Sequence, residues 1–383
     1  LIRLAYPDIR EEDIARAVEV LRSGMLVQGK NVAAFERKLS SFSDLPHAVA
    51  VSSGTAALHM ALQALGIGRG DTVLAPAFTF PATANVIEAI GAETALCDVD
   101  PTTYVITPEA VAERIASLEG RRLKAVMVVH EFGCPARIAE IARLCQRNRL
   151  FLIEDAACAL GSIADGRHPG FYGDIACVSF HPRKAITTGE GGAILTQRKD
   201  IADKIFSLRN HGMVYGNEGM DFQYAGLNYR LTDFQAALGL GQLERFGDEL
   251  VRRRELAAVY QRDLRNANGV TLPQIPEGHS LQSFMVIMDA AVSRKDLIAA
   301  MLDAGIESNL GAQALNCLTY YQRKYGLKED TCPVATRLYR SGLVLPLYGR
   351  LTSGDVVEVC STLRRILPLV NAPQRDRSCG TKK

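Results

Sequence analysis

Lys184 is the residue of this chain whose position most suggests chemistry. It closes the run Ser179-Phe180-His181-Pro182-Arg183-Lys184, directly after the apolar stretch Asp174-Ile175-Ala176-Cys177-Val178. A glycine-rich turn, Thr187-Thr188-Gly189-Glu190-Gly191-Gly192, then leads into a second apolar stretch, Ala193-Ile194-Leu195. Most lysines are solvated and inert, but one fixed in a tight loop between two strands suits an amine that forms a Schiff base. Four other segments carry matching chemistry. Ser52-Ser53-Gly54-Thr55-Ala56-Ala57-Leu58 runs from a strand through a turn into a helix, where free N–H groups and the helix dipole attract a phosphate. Leu152-Ile153-Glu154-Asp155-Ala156-Ala157 ends an apolar strand in acids, and a carboxylate there is costly to desolvate unless it meets a cation. Pro76-Ala77-Phe78-Thr79-Phe80-Pro81 offers an aromatic able to stack on a flat ring. Gly226-Leu227-Asn228-Tyr229-Arg230-Leu231-Thr232-Asp233 is a polar entry to a long helix.

Taken singly, each segment has an ordinary role: an N-cap, a structural ion pair, a core phenylalanine, a helix entry capped by Thr232. Taken together they supply a phosphate cradle, a stacking group, an acid for a ring nitrogen and a Schiff-base amine. One cofactor accounts for the set, pyridoxal 5′-phosphate (PLP). A carboxylate against its pyridinium nitrogen keeps the ring protonated and able to act as an electron sink.

The elements that must position these residues follow from hydrophobic patterning. Strands are expected at His47–Ser52, Asp71–Ala75, Glu93–Asp98, Lys124–Val129, Leu150–Asp155, Asp174–Phe180 and Gly192–Thr196. Amphipathic segments lie between the early ones, Thr55–Leu65, Pro81–Ile90, Val111–Ser117 (capped by Thr107, with Pro108 at its first position) and Ile138–Gln146. This alternation predicts an α/β fold, a mostly parallel seven-stranded sheet covered on both faces. Ligands of such sheets bind beyond the carboxyl ends of the strands, where Ser53, Asp155 and Ser179 to Lys184 all fall. A long helical stretch from Thr232 past Arg262 is expected to lead into a smaller α+β unit, with a strand at Gln282–Asp289, a capped helix at Ser293–Ala304, a strand at Gly342–Leu347 and a last helix at Thr352–Leu367. The division expected is a large domain over 1–245, a small one over 246–370, and a loose polar tail over 371–383.

The 383 residues carry a formal net charge of +2, with 48% apolar and 22% charged. That balance gives no electrostatic reason to expect nucleic acid or an acidic membrane surface, and Arg252-Arg253-Arg254 reads as one face of a solvated helix. No apolar run has the length of a membrane span; Leu150–Ala164 is interrupted by Glu154 and Asp155. Charges at Arg3, Asp8, Arg10, Glu11 and Glu12 leave no signal-peptide pattern. The nine cysteines are scattered without a CxxC pair, and no HExxH or paired Cys/His spacing suggests a metal. Reduced thiols in a cytoplasmic protein are expected. Gly66-Ile67-Gly68-Arg69-Gly70 follows a helix and precedes a strand, the reverse of the order a dinucleotide fingerprint needs, and reads as a plain turn.

With these motifs in order the chain resembles the DegT-type sugar aminotransferases, which belong to the fold-type I PLP-dependent enzymes. The resemblance runs from Ser23-Gly24 and Gly29 to Leu345-Pro346-Leu347-Tyr348. It is carried by Ser53 to Leu58, Glu154 to Ala157, Gly173-Asp174-Ile175, Ser179 to Lys184 with Thr188 to Gly192, Leu208-Arg209-Asn210-His211-Gly212 and Asn228-Tyr229-Arg230. It implies that Lys184 holds PLP as a Schiff base and that Asp155 meets the pyridine nitrogen. It implies phosphate contacts from Ser53, Gly54, Thr55 and Ser179, and stacking by Phe80. Asn228 would reach the cofactor of a neighbouring subunit, so that a homodimer shares its sites. The implied reaction moves an amino group from an amino acid, glutamate first, to a ketone on a nucleotide-linked deoxysugar.

The chain departs from the pattern in two places. Cys158 stands near the cofactor where the family most often has glutamine, and the segment Gly305 to Asn316 lacks the histidine of many relatives' substrate loops. Two alternatives share the fold: a deoxysugar dehydratase, in which a histidine replaces the lysine, and a non-catalytic PLP-binding regulator, in which the lysine or aspartate would be dispensable. Lys184 and Asp155 speak against both.

Overall fold

The β-branched and apolar runs pair into a single mixed sheet. In the computed structural model, which describes residues 1–216 and 219–370, it comprises β1 (His47–Val51), β2 (Thr72–Pro76), β4 (Glu93–Cys97), β5 (Leu123–Val129), β6 (Phe151–Asp155), β7 (Ile175–Ser179) and β8 (Gly192–Thr196), the two-residue β3 (Phe78–Thr79) lying outside it. These are the seven strands expected, in the order β1-β8-β7-β6-β5-β2-β4. β8 runs antiparallel to both neighbours and the other pairings are parallel. The carboxyl ends of six strands therefore share one edge, and β8 starts there, at Gly192. The expected tail, Asn371–Lys383 with Cys379, lies outside the described residues.

Alternation along the strands serves two cores. Val49 and Val51 of β1, Ile175 and Cys177 of β7, and Ala125 and Met127 of β5 pack with α3 (Gly54–Ala64) and α7 (Lys199–Leu208). On the opposite face Ala48, Ala50, Ala176 and Val178 pack with α2 (Lys30–Ser43) and α8 (Asp233–Glu244). There too Val126 and Val128 pack near α5 (Pro108–Ser117) and α6 (Ile138–Arg147). Thr107 caps α5, accepting from Ala110 N–H at 3.2 Å, with Pro108 opening the helix.

Three expectations change. The chain opens with α1 (Glu11–Ser23) and α2, neither of which was expected. The stretch from Thr232 is two helices, α8 and α9 (Phe246–Leu264). They break at Arg245, whose guanidinium pairs with Asp8 and Asp13. Arg253 is not on a solvated face: it is buried, bonded to Glu249 at 2.7 Å and to the carbonyls of Leu281, Gln282 and Leu347 at 3.2 to 3.3 Å. The smaller unit is a three-stranded antiparallel sheet of β11 (Val270–Thr271), β12 (Phe284–Met288) and β14 (Gly342–Leu345). It packs on α9, α10 (Arg294–Asp303) and α13 (Ser353–Val370).

The N-terminal helices are tied to the fold by Asp233. Its Oδ1 accepts N–H bonds from Gly29, Asn31 and Val32 at 2.9 to 3.0 Å, and its Oδ2 takes the Asn31 side chain at 2.7 Å. It thus caps α2 from the first turn of α8, just beyond the Asn228–Thr232 segment. Removing a buried acceptor of several N–H groups exposes each to its desolvation cost. Asp233→Ala should lower the unfolding free energy in urea by about 3 kcal/mol. A loss under about 1 kcal/mol would contradict this anchoring role.

Candidate active site

Asp155 ends β6 and is 4% exposed. Glu154 beside it points to the opposite face, as strand alternation requires. There its Oε1 accepts from Gly170 N–H and Gly173 N–H at 2.9 and 2.8 Å, and its Oε2 from His130 Nε2 at 2.8 Å. His130 Nδ1 accepts Ala136 N–H, which leaves the ring proton on Nε2. Glu154 is thus satisfied by the fold. Asp155 has a different environment. Its Oδ1 accepts Ala157 N–H at 3.1 Å and its Oδ2 the Thr83 hydroxyl at 2.8 Å. That bond uses the Thr83 proton, so Thr79 Oγ1, 2.9 Å away, must be the donor to Thr83. Asp155 has no ion-pair partner among the described residues, and burial raises its pKa despite the Thr83 and Ala157 hydrogen bonds.

The phosphate-type cradle forms where β1 passes into α3. Ser53 caps the helix, its Oγ accepting Ala56 N–H at 3.0 Å. The N–H groups of Gly54 and Thr55 have no acceptor among the described residues. Two neighbouring glycines allow the close approach. A Cβ on Gly54 would lie 2.9 Å from Ser179 Cβ, and one on Gly192 would lie 2.6 Å from the Ser53 carbonyl. Ser179 at the end of β7 thus abuts the helix start, and Thr55 is exposed. Phe80 is 67% exposed, whereas Phe78, two residues earlier, is buried against Tyr104 and Phe132.

Lys184 lies past the end of β7, half-buried, its Nζ 2.9 Å from Cys158 Sγ. Burial pushes the Cys158 thiol up, so Cys158 is a neutral thiol that accepts from the ammonium. Burial works against the Lys184 charge, but Cys158, Glu131 and Asp155 outweigh it and its pKa is raised. Lys184, Cys158 and Ser179 line one small cavity. Asn228 is exposed in a segment tied to the rest of the chain through backbone pairing with Asn210 and through Tyr229 C=O, which accepts Ser52 N–H at 2.8 Å. Among the described residues its side chain meets Arg230 N–H, at 3.4 Å, and none of the other expected site residues.

Two residues escaped the sequence reading. Thr83 has no sequence signal beyond lying one turn past Phe80. Glu131 had one: it follows β5, whose Val129 is in register with Asp155, so the strand-end rule that selects Asp155 selects it too. Glu131 is 5% exposed. Burial pushes its carboxyl up to about 7, Lys184 pulling it down and Asp155 pushing it up. It can therefore accept a proton near neutral pH.

A helix N-terminus with free N–H groups, an amine among acids and a buried carboxylate without an ion-pair partner among the described residues together suit an anionic, carbonyl-bearing cofactor with a basic ring. These are the features of PLP: Gly54 and Thr55 would meet its phosphate, Asp155 its ring nitrogen and Lys184 its carbonyl carbon. Comparison with known proteins gives the family. The model of the DegT/DnrJ/EryC1/StrS aminotransferase family matches residues 7–364, and the chain belongs to it. It is 36% identical to the spore coat polysaccharide biosynthesis protein SpsC of Bacillus subtilis over 95% of this chain and 96% of that one. The aminotransferase TlmJ of Streptoalloteichus hindustanus superposes with a TM-score of 0.88 at 32% identity, over 97% and 100% of the two chains. Spr1654 of Streptococcus pneumoniae, solved in PLP, PMP and apo forms, superposes with a TM-score of 0.89 at 26% identity, over 96% and 98%. The protein is a PLP-dependent aminotransferase of a sugar-aminotransferase family. No group of three or more metal-ligating side chains occurs among the described residues, and no helix there is long and apolar enough to cross a membrane.

The Glu131 carboxyl has a measurable consequence in the cofactor-free protein. Its folded pKa of about 7 lies above its ordinary 4.5, so between these values the folded protein holds a proton that the unfolded chain releases. Stability from this group is therefore lost as pH rises through that window, by a total on the order of 3 kcal/mol. Glu131→Gln should raise the melting temperature of the cofactor-free protein at pH 8 and change it little at pH 4.5. An equal effect at both pH values would contradict the assignment.

Proposed function

We propose that the protein transfers the amino group of an amino acid, glutamate in the first instance, to a keto group on a nucleotide-linked deoxysugar. The observation that carries the reading is the Lys184 amine held 2.9 Å from Cys158 Sγ, beyond the strand edge that also presents Asp155 and the start of α3. Family membership supports the sugar acceptor, as does SpsC, a polysaccharide biosynthesis protein. The lysine favours amine transfer over the dehydratase reaction, in which a histidine takes its place.

PLP, when bound, supplies an electron sink and a carrier for the amino group. The chain's residues do the rest. Gly54 and Thr55 N–H groups, with Ser53 and Ser179 hydroxyls, bind phosphate at the positive end of α3. Asp155, oriented by Thr83 and Ala157, holds a proton on the ring nitrogen and gains the cation that its burial requires. The exposed face of Phe80 orients the ring. With the amino-acid donor in its place on the cofactor, Lys184 Nζ would be free to accept the proton from the substrate carbon as general base and to deliver it, as general acid, to the carbon that had carried the cofactor's carbonyl. Cys158, a neutral thiol, can donate a hydrogen bond where the family more often offers an amide.

The reading includes a homodimer in which Asn228 serves the neighbouring subunit's site. The exposure of Asn228 supports this, together with the exposed apolar side chains of Tyr215, Met220, Phe222 and Leu227 in the nearby segments. It also includes a cytoplasmic setting, supported by cysteines that are free thiols throughout the described residues. The domain division at residue 245 belongs to the same reading, the break between α8 and α9 supporting it.

Lys184→Ala should abolish both the visible Schiff-base band and turnover with glutamate and a panel of nucleotide ketosugars. A retained band would overturn the role of Lys184. Mixing Lys184→Ala with Asn228→Ala subunits tests the shared site. A site built across the interface regains activity in mixed dimers, because one site there has both residues intact. No recovery would contradict it.

A further inference from the structure

Lys184 sits in a loop that backbone bonds close from Lys184 N–H to His181 C=O at 2.8 Å and from Thr188 N–H to Phe180 C=O at 3.0 Å. Between these bonds, a further restraint on the lysine's own peptide groups comes from a residue about a hundred positions later in the chain. Gln282 is 8% exposed, and its side-chain amide spans the lysine. Oε1 accepts Ala185 N–H at 2.9 Å and Nε2 donates to Arg183 C=O at 2.7 Å. The orientation of the amide is forced by these partners, since an N–H needs an acceptor and a carbonyl needs a donor. The two peptide groups flanking Lys184 are thus gripped by one planar side chain.

Gln282 is itself held. Its N–H donates to Phe132 C=O at 2.9 Å, in the turn that carries Glu131. Its C=O accepts from Arg253 Nη1 at 3.2 Å, as does that of Leu281. Leu281 has φ of +56°, a conformation that L-residues avoid, and so turns the chain at the residue before Gln282. Ser280 N–H donates to Gly133 C=O at 3.0 Å. A Cβ on Gly133 would lie 2.3 Å from Ser280 Oγ and 3.0 Å from Cys158 C=O, so this segment, the Glu131 turn and the Cys158 loop are in close contact.

We propose that Gln282 is a positioning residue for Lys184: reaching in from the segment before β12, it fixes the lysine loop and thereby the approach of Nζ to its carbonyl partner. This rests on the reading of Lys184 as the Schiff-base lysine. Effective attack requires the reacting atoms to be held in one arrangement, and side chains locked by hydrogen bonds do this better than a free loop. The buried Arg253 carries the restraint back to α9.

The test begins with the cofactor-free wild type. Hydrogen exchange should show the Ala185 amide protected although it lies in a loop and has no backbone acceptor among the described residues; free exchange there overturns the proposal. In Gln282→Met, of similar shape but without the two bonds, that amide should exchange about tenfold faster or more while β5, β6 and β7 stay protected. PLP added to this variant should form its Schiff-base band about tenfold more slowly than in the wild type, and the pH at which the band titrates should move. Gln282→Glu keeps the acceptor for Ala185 N–H but turns a second acceptor on Arg183 C=O. It should preserve Ala185 protection and still slow band formation, which keeps the test decisive if the methionine variant does not fold. Wild-type band kinetics and titration in either folded variant overturn the positioning role while leaving Lys184 as the Schiff-base residue. Absence of a band in the wild type overturns the reading of Lys184 and this role with it.

Discussion

The structure depends on a carboxylate withdrawn from water that has no ion-pair partner among the described residues. Asp155 lies at the end of a central strand, held by one hydroxyl and one backbone N–H. Those bonds orient it but do not offset its desolvation, which is why its pKa is raised. Such an arrangement is costly in the free protein and, in the function proposed above, would become favourable on meeting a protonated ring nitrogen. Much around it serves that exchange. Thr79 and Thr83 fix the carboxylate from the side of Phe80, and Glu154 and His130 take the opposite face of the strand as a satisfied pair.

The acids near Lys184 form a coupled set. Asp155 raises Glu131, both favour charge on the lysine, and the lysine in turn lowers both. Such mutual dependence means that protons in this site belong to the group and not to single residues. A cation at Asp155 would relieve the set and leave Glu131 freer to ionise. Cofactor binding and the protonation of Lys184 would thereby be linked through charge.

Much of this was legible in the sequence, for identifiable reasons. The seven strands have short apolar runs bounded by turn residues, and the strand-end rule selects Ser53, Asp155 and Ser179 to Lys184. Capping chemistry is local, so Thr107 and Ser293 could be read directly. What escaped depends on partners far along the chain. At the break between α8 and α9, Arg245 sends its side chain to Asp8 and Asp13, more than two hundred residues earlier. Arg253 resembles its solvated neighbours until the carbonyls of Leu281, Gln282 and Leu347 are known. Thr83 is one threonine among many. Glu131 could have been found by applying to β5 the rule already applied to β6. The antiparallel course of β8 has no local signature, because parallel and antiparallel buried strands carry the same apolar pattern.

The central claim is that a single amine, Lys184, carries the cofactor. Reduction of the PLP-loaded protein with borohydride makes that linkage permanent, and peptide mapping by mass spectrometry then locates it. The account predicts one pyridoxyl-labelled peptide per chain, bearing the label on Lys184, with labelling lost when glutamate is added before the reductant. A label on another lysine, or none in a protein that retains bound PLP, would contradict it.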